Sequence, residues 1–181
     1  MSNTTSILGL LDALQFAAEK HSRQRRKDAD ASPYINHPIA VAASLARCGV
    51  SDLVTLQAAI LHDTIEDTKT TPPELEGRFG KDVTAIVQEL TDDKQLPKEK
   101  RKQRQIEHAP LISAKAKSIK IADKISNVHD IIYTPPRFWS RREKKKYLEF
   151  TEQVVKGCRG VNKELENEFD KYLEEAGKSL K

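Results

Sequence analysis

The stretch LQAAILHDTIED, residues 56–67, decides how this chain is read. Ser51 or Asp52 can start a helix there that runs to about Asp67. Val54, Ala58, Leu61 and Ile65 recur at helical spacing as an apolar stripe, and Leu53, Leu56 and Ile60 widen it. A helix apolar over so much of its circumference is expected to be mostly buried. Its last two turns nevertheless carry His62, Asp63, Glu66 and Asp67. Burying a carboxylate costs roughly several kcal/mol unless a partner compensates, and one divalent cation compensates several at once. Residues four apart are offset by only about 40° around a helix. On a continuous helix His62 therefore lies under Glu66, and Asp63 under Asp67, in two parallel rows. One row step can hold a metal while the next turn reaches a water or a substrate. An adjacent imidazole and carboxylate suit Mn, Fe, Zn or Ni. A His-Asp dipeptide alone says almost nothing, and the competing reading is a solvated helix end. The apolar flanks and the further candidates below favour the buried site.

Outward from this helix, apolar residues keep recurring at spacings of three and four, while alternating Val- and Ile-rich runs are scarce. Ser6 can cap a first helix with a face of Ile7, Leu11, Leu14 and Ala18, and residues 23–34 break the pattern as a loop. Asn36 is expected to cap a second helix with Pro38 in its first turn, ended by Gly49. Pro72 and Pro73 open a short helix that stops near Gly80, and another carries Val83, Ile86, Val87 and Leu90. Basic, polar helices around 98–108 precede a long helix from about Ile112 to Tyr133, which Pro135 and Pro136 stop. Two more follow, one along Tyr147, Phe150, Val154 and Cys158 and one after Val161. The expectation is an all-α fold, a single helical-bundle domain over residues 1–181 with its core at about 7–175.

The bulk properties agree. The 181 residues can bury a real core without disulfides, and 7 Gly and 8 Pro suit a folded, helix-rich chain. A net charge of +4, from 31 Lys and Arg against 27 Asp and Glu, fits small anions as readily as nucleic acid. Cys48 and Cys158 stand far apart outside any CxxC, and read as buried thiols in a reducing compartment. With no basic, apolar leader and no run of membrane-spanning length, the chain reads as soluble and cytoplasmic. No helix-turn-helix pattern, zinc spacing or aromatic-basic platform points to nucleic acid.

Two further segments offer ligands. His37 opens the second helix in PYINHP, where a capping or boundary histidine is the plain alternative. Asp123 lies in KSIKIADKISNVHD, whose apolar stripe is Ile121, Ile125, Val128 and Ile132. Lys120, Asp123, Lys124 and Asn127 share another face within about 100°. A solvated face with weak Asp-Lys pairs is one reading of it. The functional reading puts Asp123 on the metal and Asn127 beside it on the substrate. His37, His62, Asp63 and Asp123 then supply two imidazoles and two carboxylates, leaving positions open for water or phosphate.

QRRKDADASPYINHP (24–38), LQAAILHDTIEDT (56–68), ELTDDKQLPKEKRK (89–102) and QVVKG (153–157) together resemble the HD hydrolase domain of the RelA/SpoT superfamily, most of all its small alarmone hydrolases. The resemblance runs from about Leu8 to Leu173. It implies a (p)ppGpp 3′-pyrophosphohydrolase of the HD type, with Mn²⁺ held by His37, His62, Asp63 and Asp123. It implies that Glu66 and Asp67 position and activate the attacking water. It further implies nucleotide contacts from Arg26, Lys27, Asn127 and Tyr147, with Lys98 on the phosphate side. His129 and Ser126 depart from many members; neither is expected to touch the metal set. The basic run Arg141, Arg142, Lys144, Lys145 and Lys146 reads as a solvated face. An NADPH 2′-phosphatase is the main alternative on the same metal site, and a non-catalytic nucleotide sensor or nucleic-acid binder is an alternative of another class. Oligomeric state is not legible.

Overall fold

The computed structural model describes residues 3–180. Ten helices follow one another: α1 (Asn3–Lys20), α2 (Asn36–Arg47), α3 (Leu53–Leu61), α4 (Thr64–Asp67), α5 (Pro72–Phe79), α6 (Lys81–Leu90), α7 (Lys98–His108), α8 (Ala114–Tyr133), α9 (Arg141–Cys158) and α10 (Lys163–Ser179). Among the described residues there is no strand, only an isolated bridge between Arg25 and Pro33 within the loop after α1. The expected all-α fold is what the chain adopts. No described helix is long and apolar enough to cross a membrane.

Local chemistry sets most boundaries. Asp52 accepts from the Thr55 N–H at the start of α3, and Thr71 does the same for Glu74 ahead of the prolines of α5. Ser140 and Glu143 form a reciprocal capping box on α9. Gly49 takes φ +82° just past α2, and the Val50 N–H returns to the Leu45 carbonyl, as a left-handed helix stop requires. Two expected caps do not form. Ser6 lies inside α1, which is already helical at Asn3, and Asn36 is the first residue of α2 with no side-chain cap at the position before it. The buried face of α1 is also rotated from the expected one. Ala13, Phe16 and Ala17 are inside, while Ile7, Leu8 and Leu11 stay 54–62% exposed.

The centre of the bundle is α8, packed against α2, α3, α6, α9 and α10. So many neighbours bury it on nearly all sides, Asp123 and Lys124 included, at 9% and 5% exposure. The solvated-face reading of that helix is therefore overturned. The C-terminal helix is tied back to α2, where the Ser44 hydroxyl and the Cys48 thiol reach Glu168. Cys158 is buried as expected, whereas Cys48 is only half-buried.

Helix α9 approaches the turn after α7 at Gly157, where an added Cβ meets Ala109 Cβ at 2.9 Å and Pro110 Cδ at 3.0 Å. Gly157→Ala gains helix propensity of about 1 kcal/mol but overpacks this contact, which typically costs 1–3 kcal/mol. Net destabilisation of up to about 2 kcal/mol is expected in urea unfolding. An unchanged midpoint would mean that the 109–110 turn yields freely.

A candidate metal centre between two cavities

The helix bearing His62 and Asp63 is not continuous. It ends at Leu61 and resumes at Thr64, because two side chains take the carbonyls that would have carried it on. His62 Nδ1 donates to the Ala59 carbonyl at 2.7 Å, and Thr64 Oγ1 donates to that of Leu61 at 2.7 Å. The two expected parallel rows assumed an unbroken helix; His62 and Asp63 keep right-handed helical dihedrals, but the helix is interrupted between the rows' two steps. The joint instead lets consecutive residues converge: His62 Nε2 lies 3.0 Å from Asp63 Oδ2.

His37, from the first turn of α2, and Asp123, from mid-α8, complete the cluster. One ligand atom from each of His37, His62 and Asp123 lies within 4.8 Å of the other two. His37 Nε2 is 3.2 Å from Asp123 Oδ1 and 3.8 Å from Asp63 Oδ2. All four residues singled out as ligands thus meet. His62 Nε2 is buried and makes no hydrogen bond. In the neutral imidazole, with Nδ1 donating, this nitrogen would present a lone pair to the cluster centre, where a cation can displace the proton that Asp63 otherwise favours. Two imidazole nitrogens with carboxylate oxygens form a donor set suited to a first-row divalent ion.

The electrostatics are those of a site built for positive charge. Burial opposes ionisation of Asp63, but neighbouring His62 and His37 outweigh it and hold the carboxyl far below its usual range. Asp123 is held low against burial too, chiefly by Lys124, whose Nζ lies 2.9 Å from Oδ2. Burial lowers His37. At His62, burial is overcome by Asp63 and Asp123, and the imidazole rises to about 9.

A surrounding shell fixes these groups. Tyr34 donates to Asp63 Oδ2 at 2.7 Å, and Asn127 Nδ2 donates to Asp123 Oδ1 at 2.6 Å. Ser126 Oγ lies 3.0 Å from His37 Nδ1. The expectation that Ser126 stands apart from the metal set is thereby corrected, since it holds the outer edge of one imidazole.

Glu66 and Asp67 part company. Glu66 lines the cluster's cavity of about 140 Å³. Its Oε2 accepts the Asp92 N–H at 3.0 Å, and Arg101 Nη1 lies 4.0 Å from Oε1. Burial raises Glu66 to about 7, with the charges of Asp92, Asp63 and Asp67 adding to the effect. Asp67 faces a neighbouring cavity of about 430 Å³ and accepts from Gln24 Nε2 at 2.7 Å and from Lys94.

That larger cavity gathers most of the expected nucleotide-side residues: Arg26, Lys27, Asn127 and Tyr147, with Tyr34 and Trp139. The Arg26 guanidinium pairs with Asp130, lies 3.4 Å from Asn127 Oδ1 and sits over the Tyr34 ring. Trp139 meets Tyr147 edge-on at 5.3 Å between centroids. A backbone bond from Arg137 N–H to the Lys27 carbonyl joins the two loops that wall this cavity. Lys98 is not brought there; it is exposed at the start of α7 and acts on Glu143 of α9. Arg141, Arg142, Lys145 and Lys146 lie exposed on α9, as expected, whereas Lys144 is half-buried.

Sequence reasoning passed over Tyr34, Arg101, Asp130 and Trp139. Tyr34 could have been found, since PYINHP puts it three residues before His37. Asp130 and Arg101 carry no such local mark.

Comparison with known proteins places these features in context. The family model described as "HD domain" matches residues 13–148. A guanosine-3′,5′-bis(diphosphate) 3′-pyrophosphohydrolase MESH1 of Xenopus tropicalis is 50% identical over 169 residues, covering 93% of this chain and 94% of its own. The Homo sapiens protein of that name is 48% identical over 172 residues, covering 94% and 96%. A solved structure described as a metazoan orthologue of SpoT that hydrolyses ppGpp superposes with a TM-score of 0.90 at 40% identity, over 93% of this chain and 96% of the other.

Proposed function

Since the chain belongs to the HD domain family, within the RelA/SpoT superfamily, we propose that it is an Mn²⁺-dependent guanosine-3′,5′-bis(diphosphate) 3′-pyrophosphohydrolase, with residues 1–181 working as one domain. The observation that carries the reading is the convergence of His37, His62, Asp63 and Asp123 beside Glu66 and a nucleotide-sized cavity, in a chain about half identical to hydrolases so named. Two free thiols fit a cytoplasmic setting.

His37, His62, Asp63 and Asp123 would hold the metal. When bound, Mn²⁺ supplies a Lewis acid for a phosphoryl oxygen and acidifies water in its reach. Glu66 is the base in this reading, because it lines the cluster's cavity and its pKa of about 7 lets it accept a proton near neutrality. The oxygen of the water it deprotonates bonds to the phosphorus on the 3′ oxygen. That P–O bond breaks, the 3′ oxygen ends protonated, and GDP (or GTP) and pyrophosphate leave. Arg26, Lys27 and Tyr147 bind the nucleoside end, where a guanidinium can stack or fork. Asn127 bridges Asp123 and Arg26, linking that end to the metal ligands. Asp67 acts indirectly, through Gln24 and Lys94.

The test is product analysis after incubating the purified protein with Mn²⁺ and, separately, ppGpp or NADPH. GDP and pyrophosphate from ppGpp are expected, abolished by EDTA and restored by Mn²⁺ better than by Mg²⁺. Phosphate from NADPH alone would replace this reading with a 2′-phosphatase, and inactivity on both would end it. Equal restoration by Mg²⁺ would remove only the manganese assignment.

A further inference from the structure

The cluster's cavity is walled in common with two others. It shares Tyr34 and Asn127 with the nucleotide-side cavity, and Asp92, Gln105 and Lys120 with a third, of about 200 Å³, under α7. No step of the proposed reaction uses this third space. Its wall carries Arg101, Arg104 and Lys120 together with Glu89, Asp92 and Asp93, so formal charges balance three against three, but the two signs are engaged differently. Glu89 accepts from the Ser113 N–H, Asp92 from the Gln105 amide and Asp93 from the Gln95 N–H, all neutral donors. The cations lack comparable partners. Arg101 has only Glu66 at 4.0 Å, and its Nε is buried without an acceptor. Lys120 reaches just the Leu90 carbonyl, at 3.3 Å, and no carboxylate among the described residues lies within ion-pairing distance of Arg104 or Lys120. Two guanidinium groups and an ammonium with unspent donors fit a compact polyanion, because a guanidinium grips phosphate oxygens in a fork.

We infer that the cavity under α7 is a pyrophosphate subsite, in which Arg101, Arg104 and Lys120 hold the distal phosphate of the 3′-diphosphate and then the leaving pyrophosphate. The inference rests on the hydrolase reading and extends it. Glu66 stands between the cluster and Arg101, so a diphosphate whose inner phosphorus is at the cluster points its outer phosphate toward α7. The nucleoside product leaves through the opposite cavity. A ligand ending in a single phosphate leaves the subsite empty, so the cavity favours 3′-diphosphates over monophosphates.

The experiment compares wild type with Arg104→Glu, a change at an exposed residue, and with Arg101→Gln. Inhibition of ppGpp cleavage by added pyrophosphate is measured in excess Mn²⁺, with GDP as control inhibitor. Calorimetry then measures pyrophosphate binding to the same proteins stripped of metal. Both variants are expected to weaken pyrophosphate in both assays by about tenfold, the size of one charge-assisted hydrogen bond, with GDP inhibition unchanged in Arg104→Glu. Wild-type pyrophosphate affinity in both variants would overturn the subsite. If the wild type fails to cleave ppGpp, the parent reading falls, and calorimetry alone decides the subsite.

Discussion

Asp63→Ala is expected to abolish both metal retention and turnover. The carboxylate is one of two facing the imidazoles, 3.0 Å from His62 Nε2 and 3.8 Å from His37 Nε2, and its negative charge is maintained by that pairing. Without it the cluster keeps two imidazoles and Asp123, while Lys124 already occupies Asp123 Oδ2. The Tyr34 hydroxyl also loses its acceptor. Metal content after desalting should fall to background, and ppGpp hydrolysis should drop by about 10³-fold or more, in line with the several kcal/mol that a metal supplies to transition-state charge. Full metal content in Asp63→Ala would remove Asp63 from the ligand set.

Glu66→Gln should behave in the opposite way toward the metal. Its side chain is directed to Asp92 N–H and Arg101, and the amide oxygen can still accept from Asp92, so metal content should match wild type. Turnover should fall by about 10²–10⁴-fold, the usual worth of a positioned general base. Equal metal loss in both variants would contradict the division of labour between Asp63 and Glu66. The same substitution should stabilise the metal-free protein. Glu66 is raised from 4.5 to about 7 by burial, so the folded state retains a proton that the unfolded chain releases. Below pH 4.5 both states are protonated and the group contributes nothing. As pH rises to 7 a penalty accumulates, on the order of 2–3 kcal/mol, and it persists above. Glutamine removes it, so Glu66→Gln should melt higher than wild type at pH 8 and equally at pH 4. Equal melting at both values would mean that the carboxylate is well solvated.

What the sequence disclosed and withheld follows from range. Helix periodicity, the Pro and Gly stops and the cap at Asp52 are local, so the order of helices was readable to within a few residues. The metal candidates were readable because each sits in a short, chemically distinct motif. The break at His62–Asp63 was not, since it depends on His62 and Thr64 taking backbone carbonyls that a regular helix would use. The burial of Lys124 escaped for another reason. Composition gave α8 one apolar stripe, whereas five packed neighbours enclose it. The split between Glu66 and Asp67 is likewise tertiary, set by Asp92 on one side and Gln24 on the other.

The outer partners of the two imidazoles have a consequence for how each would offer a lone pair to an ion. The Ala59 carbonyl can only accept, so it keeps the single proton of a neutral His62 on Nδ1 and leaves Nε2 as the nitrogen that would face an ion. The Ser126 hydroxyl can accept or donate, so it leaves His37 free to move its proton between nitrogens. In the proposed ligand set His62 is thus the standing anchor and His37 the hinged one. Ser126 therefore governs which nitrogen of His37 would be offered to an ion, without itself being one of the ligands.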